Sequence, residues 1–219
     1  MKYPYLLYSP NIALAPIFKV EGEPFALDLS VGNELLLQID IKDQTAFQAI
    51  LERRMQPAHS WGLGGYLERR DTLLRDYPQM VEEQRYYHLG LDIVVPKGSE
   101  LHTPLDAVVH RTGYEEGDGN YGGYALLKHE SDRFQTFYSF YGHLSPQSIP
   151  VKGTQLKAGD VFARIGDFHE NGNWYHHTHL QIITQIGLEQ GFLHKGYCAE
   201  EELRTINDLC PDPLHLFRI

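Results

Sequence analysis

Residues 172–184 read "GNWYHHTHLQIIT". Taken as a strand, the run "HTHLQIIT" sends alternate side chains to opposite faces. His177, His179 and Gln181 then share one face. Thr178, Leu180 and Ile182 share the other, which is apolar enough to be core, and His176 points away from the pair. Two imidazoles at i and i+2 stand roughly 6.6 Å apart along a strand. That separation suits one metal ligand beside one group that works on the water a metal activates.

Around this strand, the text from Tyr86 to about residue 185 is a series of short β-rich runs parted by Gly, Pro and Asp. They include "LDIVV", "DAVVHRT", "YALLKHE", "FQTFYSFYGH" and "DVFARIG". Strands at this spacing without helices between them predict antiparallel sheets in a sandwich or barrel-like core. The fold class expected is therefore mainly β with added helices (α+β). The core spans 86–185, between an N-terminal extension (1–85) and a C-terminal helical one (186–219). Before the core, the chain is extended in character to about residue 42, and "NELLLQIDI" reads as a strand. "DQTAFQAILERRM" reads as a helix capped by Asp43, with Phe47, Ile50, Leu51 and Met55 at helical spacing. "YLERRDTLLRDYPQMVEEQ" is partly helical until Pro78 stops it. Helix resumes in "AEEELRTINDL". There is also an internal echo: "KGSEL" before "DAVVHRTG", and "KGTQL" before "GDVFARIG". Two similar β units are expected to build one sheet-rich body.

Composition narrows the partners. Nineteen Lys and Arg against 29 Asp and Glu give a formal charge of -10. Such a surface argues against nucleic acid, and fits poorly with a polyanionic cell-wall or membrane surface. No run approaches the roughly 18 apolar residues that span a bilayer. The N-terminus "MKYPYLLYSPNIALAPIF" is interrupted by Pro4, Pro10 and Pro16 and reads as mature protein rather than a signal peptide. Two cysteines, Cys198 and Cys210, make no disulfide framework and no Cys-rich zinc site. The expected compartment is the cytoplasm. Oligomeric state is not set by any of these features.

Two more clusters bear on metal chemistry. In "HLGLD", His88 and Asp92 would lie roughly 13 Å apart on a straight strand, and Gly90 permits a bend that brings them together. With His179 they make three ligands, a set suited to a catalytic zinc that keeps a fourth position open. In "YGHLS", His143 leaves an aromatic strand and could face the same cavity. His59, His102, His110, His129, His169, His194 and His215 read as ordinary surface or satisfied polar residues.

"HLGLD", "YGHLS" and "HTHLQ", in that order, resemble the motifs of the LytM/lysostaphin-type zinc metallopeptidases. The connecting "VVPKGSELHTPLDAVV" and "VKGTQLKAGDVFARIG" are similar as well. The resemblance covers about residues 86–185. It implies one Zn²⁺ per chain held by His88, Asp92 and His179, and His143 and His177 as the catalytic histidines. It also implies a zinc metallopeptidase that hydrolyses a peptide or amide bond, in a peptidoglycan-type or other small peptide substrate. Gln181, His176 and Tyr141 are secondary candidates, as groups that orient a ligand or touch substrate. Typical members are exported, and carry a small residue and Pro where this chain has "NWYHH". The chain therefore resembles a variant branch without an export signal, with Trp174, Tyr175 and His176 narrowing the groove. The rival readings are a non-catalytic peptide-binding or regulatory module that retains the scaffold, and a purely structural zinc.

Overall fold

The structure, a computed structural model, describes residues 12–216. Part of the segment expected to be extended before residue 42 thus lies outside the described residues. In chain order the elements begin with β1 (Phe25–Leu27), α1 (Leu35–Gln38), α2 (Gln44–Met55), β2 (Gly62–Gly64), α3 (Asp71–Leu74) and α4 (Pro78–Val81). There follow β3 (Tyr87–His88), β4 (Leu91–Val94), β5 (Glu100–His102), β6 (Ala107–Glu115), β7 (Gly122–Ser131) and β8 (Phe134–Leu144). The chain then runs through β9 (Gln155–Leu156), β10 (Val161–Arg164), β11 (His177–Thr184), α5 (Gln185–Glu189), β12 (Tyr197–Cys198) and α6 (Ile206–Leu209).

Strands dominate, and eight of them form one sheet in the order β1-β2-β4-β11-β8-β7-β6-β9. Its pairings are antiparallel except for β1 with β2. β11 runs through the interior of this sheet, between β4 and β8, and every one of its residues is buried. Leu180 joins Leu91, Ile93, Leu127, Tyr141 and Trp61 in the apolar core on one side. Phe140, Leu126 and Ile183 pack on the other side. The two echoed units cross-pair. β5 and β6 arise from the first unit, β9 and β10 from the second, and β5 bonds β10 while β6 bonds β9. Neither unit closes its own pairing.

The segment before residue 86 shares the main sheet, because β2 bonds β4. α2 forms as its pattern demands: Phe47, Leu51 and Met55 bury one face, and Asp43 Oδ1 caps the helix by accepting from the Ala46 amide at 3.0 Å. Three local readings are overturned. "NELLLQIDI" holds a helical turn, α1, rather than a strand. Leu36 is buried while Leu37 is 67% exposed. The carbonyls of Leu36 and Ile39 accept from the Arg75 guanidinium at 2.6 and 3.1 Å, which supplies bonds a strand partner would otherwise give. Pro78 starts α4 instead of ending a helix, since its missing N–H is one the first turn leaves unpaired anyway. The tail makes a 3-10 turn over Glu200–Arg204 before α6, not one continuous helix. Among the described residues no helix is long and apolar enough to cross a membrane.

His129 illustrates the cost of burying a titratable group in this sheet. Its Nδ1 donates to the Asp106 carbonyl at 3.1 Å and its Nε2 accepts from the Ser139 hydroxyl at 2.7 Å. Burial pulls its pKa down to about 4. Above pH ~6.5 both folded and unfolded chains hold it neutral. Below that, only the unfolded chain takes the proton, so stability falls from about pH 6.5 toward pH 4, by up to ~3 kcal/mol. His129→Gln keeps both hydrogen bonds available without the titration. Urea unfolding of chelator-treated protein at pH 7 and 4.5 should show a loss on acidification about 2 kcal/mol smaller in the variant. Equal losses would mean that His129 takes up its proton without unfolding.

Candidate metal centre

Three breaks in strand regularity build the site: a change of sheets after β3, a close approach at Gly90 and a reset of alternation in β8. β3 belongs to a small two-stranded sheet with β12, whereas β4 belongs to the main sheet, so the chain changes sheets between His88 and Asp92. Gly90 lies in this change, but not because it adopts a left-handed backbone. A Cβ there would stand 2.6 Å from His179 Cε1 and 2.6 Å from the Leu180 carbonyl oxygen. The glycine is required by the close approach of β11. The third break is in β8. Tyr138 and Phe140 face one side and Tyr141 the other, so strict alternation would send His143 into the core with Tyr141. Instead His143 has φ +64°, which resets the alternation. Leu144 enters the core and His143 turns to the histidine side.

The structure brings together His88, Asp92, His143, His177 and His179. Each imidazole is tied from behind by one nitrogen. His88 Nδ1 donates to the Gly65 carbonyl at 2.8 Å, and His143 Nδ1 to the Asn171 carbonyl at 2.7 Å. His177 Nδ1 donates to the Tyr175 carbonyl at 2.7 Å, and His179 Nε2 to Gln181 Oε1 at 2.9 Å. A carbonyl only accepts, so each anchored nitrogen carries the hydrogen and the other presents a bare lone pair. His88 Nε2 and His179 Nδ1 lie 2.9 Å apart. Asp92 Oδ1 lies 3.2 Å from His88 Nε2 and 3.5 Å from both His179 Nδ1 and His177 Nε2. That oxygen is buried and has no hydrogen-bond partner. Two imidazoles and one carboxylate converging without a proton between them fit a zinc ion, as donor types and as an orphaned buried oxygen.

The other oxygen of Asp92 is clamped. Arg70 Nη1 donates to Oδ2 at 2.6 Å, and the Tyr175 hydroxyl donates to it at 3.0 Å. Arg70 is fully buried and also reaches Glu68 Oε2 through Nε at 2.7 Å. Burial works to raise the Asp92 carboxyl, but the adjoining His88 imidazole and Arg70 guanidinium outweigh it and hold it well below its ordinary value. The imidazoles move the other way. Burial, with Arg70 adding, takes His88 down to about 3; burial takes His177 down to about 4; burial and the neighbouring His177 push His143 well down. All three are neutral at pH 7, the form that binds metal or accepts a proton.

Of the remaining candidates, Gln181 stands behind His179, its own amide donating to Cys210 Sγ at 3.3 Å. His176 is not brought to the cluster: it stacks on Phe168 at 4.3 Å and reaches Asp167 Oδ1 at 3.2 Å. Tyr141 is also elsewhere, packed on Phe162 in the core across the sheet. Trp174 and Tyr175 line the cavity over the cluster, and the Tyr175 ring lies 4.2 Å from His177. The sequence reading missed Arg70, Arg85, Glu115, Tyr121 and His194. Arg70 touches Asp92 and the others line the cavity. None sits in a motif, and a buried arginine has no local pattern that announces it.

Residues 86–189 match the model of peptidase family M23 and include all five clustered residues. A search of curated proteins finds no match. Among solved structures, a zinc-containing peptidase from Vibrio cholerae is 24% identical over 46% of this chain and 28% of that one, with a TM-score of 0.38. A putative M23 peptidase from Pseudomonas aeruginosa is 25% identical over 59% of this chain and 43% of that one, at 0.38. The catalytic domain of lysostaphin from Staphylococcus simulans is 20% identical over 56% and 80%, at 0.40. The chain thus spans less than half the length of the first two.

The clamp on Asp92 predicts a stability effect. Arg70→Met leaves the buried Asp92 Oδ2 and Glu68 without their cation. It should cost about 3–5 kcal/mol in urea unfolding of the metal-free protein. Adding Glu68→Gln should recover part of that. A loss below ~1 kcal/mol would show that water reaches Asp92 and that the burial described is not maintained.

Proposed function

We propose, from the premise that residues 86–189 belong to peptidase family M23, that this protein is a zinc-dependent hydrolase of peptide or amide bonds. The observation that carries the reading is the set of bare nitrogens on four anchored imidazoles facing the unpartnered Asp92 Oδ1. In it, His88, Asp92 and His179 would hold the metal. Zinc bound there supplies a Lewis acid that polarises the amide carbonyl and makes water acidic enough to attack near neutral pH.

His143 and His177 do the proton work. Their rings are 4.4 Å apart on the same cavity, each with Nδ1 locked to a carbonyl. Nε2 of one takes a proton as water adds to the carbonyl carbon. The proton then passes to the amine as the C–N bond breaks, giving a carboxylate and an amine. The second imidazole, also neutral with a bare Nε2, accepts a hydrogen bond from the attacking water and orients it. No covalent enzyme intermediate is required. Asp92 stays ionised throughout, because Arg70 and Tyr175 hold its far oxygen. The free, buried thiols of Cys198 and Cys210 support a reducing, cytoplasmic setting. The acidic surface supports a small peptide substrate rather than an anionic polymer.

The two roles separate by mutation. His179→Ala should lose zinc and amide cleavage together. His143→Ala should keep zinc, measured by atomic emission on purified protein, and lose about 10²–10⁴ in kcat. A wild-type protein that binds one zinc yet cleaves no peptide in a broad panel would assign the scaffold to binding instead of catalysis. Unchanged turnover in His143→Ala would remove the acid–base role from that residue.

A further inference from the structure

The cavity over the cluster is walled by residues of the segment 86–189, Tyr121 among them, and by others from outside it. Met80 and Arg85 come from α4 and the turn after it, and His194, Gly196 and Tyr197 from the stretch after α5.

Two side chains in this wall are unspent. Arg85 is the one Lys or Arg lining the cavity, and it is 9% exposed. Its Nη2 donates to the Gln79 carbonyl at 3.2 Å. Its Nε lies 2.7 Å from Glu83 Oε2, a largely exposed carboxylate, but in no aligned hydrogen bond. Among the described residues no hydrogen bond engages Nη1. Tyr121 is 7% exposed, and its hydroxyl is buried without a hydrogen-bond partner. The Tyr121 ring lies 5.5 Å from the His179 ring and 6.0 Å from the His143 ring. Room for that hydroxyl depends on Gly196, where a Cβ would come within 2.8 Å of it. A buried donor left unpaired costs about 1–3 kcal/mol, so the position calls for an acceptor from outside the chain. The acids in the cavity do not compete for this pair. Asp92 is held by Arg70 and Tyr175, and Glu115 is bonded to His194.

We propose that Arg85 and Tyr121 bind the free terminal carboxylate of a short peptide. The site would then work at a chain end, next to the metal, and not within a cross-linked polymer. The inference rests on the hydrolase reading for its chemistry but not for its test. A guanidinium and a phenol lining the same cavity can give one anion charge-assisted bonds that an uncharged amide terminus cannot match.

The test is binding of matched tripeptides, as free acids and as C-terminal amides, in panels containing L and D residues. Full-length chelator-treated protein is titrated by calorimetry, so that neither turnover nor metal contributes. Wild type should bind the best free acids about 10- to 100-fold more tightly than their amides. Arg85→Met should erase most of that preference while leaving amide affinity unchanged, and Arg85→Lys should restore part of it. Tyr121→Phe removes a hydroxyl that no protein group uses, so its fold should persist, and it should weaken the acids alone by several-fold. Equal binding of acids and amides by wild type, no binding of any acid, or equal loss for both in Tyr121→Phe would each overturn the proposal. Cleavage of the same panel by zinc-loaded protein is a separate arm. Its failure with the acid preference intact would sink the hydrolase reading and leave the carboxylate site standing.

Discussion

Five lone-pair-bearing atoms are held face to face in a buried space, and the rest of the molecule is arranged around that constraint. Left alone, the imidazole nitrogens of His88, His143, His177 and His179 and the oxygen of Asp92 repel one another. Protonation of His88 or His177 would relieve them, but burial and Arg70 resist it there. A divalent cation relieves them without a proton. The fold keeps the arrangement by fixing each ring from behind, on acceptors at Gly65, Asn171, Tyr175 and Gln181. Three of those anchors fall within residues 171–181 and the fourth, Gly65, comes from the N-terminal segment, so the geometry needs that segment packed against the core.

The N-terminal segment is part of this arrangement. The turn after β2 supplies Gly65 to His88, and the stretch before α3 supplies Arg70 to Asp92. β2 is bonded to β4, with Gly64 opposite Asp92, so the stretch of chain that holds Gly65 and Arg70 starts beside the carboxylate. The same region then turns back through α4 to place Arg85 over the cavity. The anchors of His88 and Asp92 and one part of the cavity wall are therefore built by one continuous excursion of chain around the sheet.

The backbone is irregular where the chemistry requires it. His143 occupies a left-handed conformation that a β-strand residue without special reason avoids, and its strain is held by packing on both sides. Gly123 and Gly166 lie close to the Leu144 carbonyl, where any Cβ would crowd it. The bulge between Gly123 and Ala125 accommodates the same shift in the facing strand. The result is a histidine that leaves the core side of its strand for the metal side within one residue.

Much was legible beforehand because it depended on local periodicity. Alternation in "HTHLQIIT" divided β11 correctly into a histidine face and an apolar face, and helical spacing with Asp43 marked α2. The three short motifs contain all five residues that the structure gathers, since metal-type side chains at fixed offsets survive as text. The short helices were misread: α1 depends on Arg75 reaching carbonyls some three dozen residues away, and α4 on Pro78 being first in its turn. The cross-pairing of the echoed β units was likewise invisible, because each unit's partner lies in the other. Sequence alone determined which histidines and which carboxylate the fold gathers and which strand faces are buried. Tertiary structure alone decided how His143 turns, which buried cation clamps Asp92 and which side chains close the cavity. Those depend on contacts between residues far apart in the chain, and such contacts leave no periodic trace.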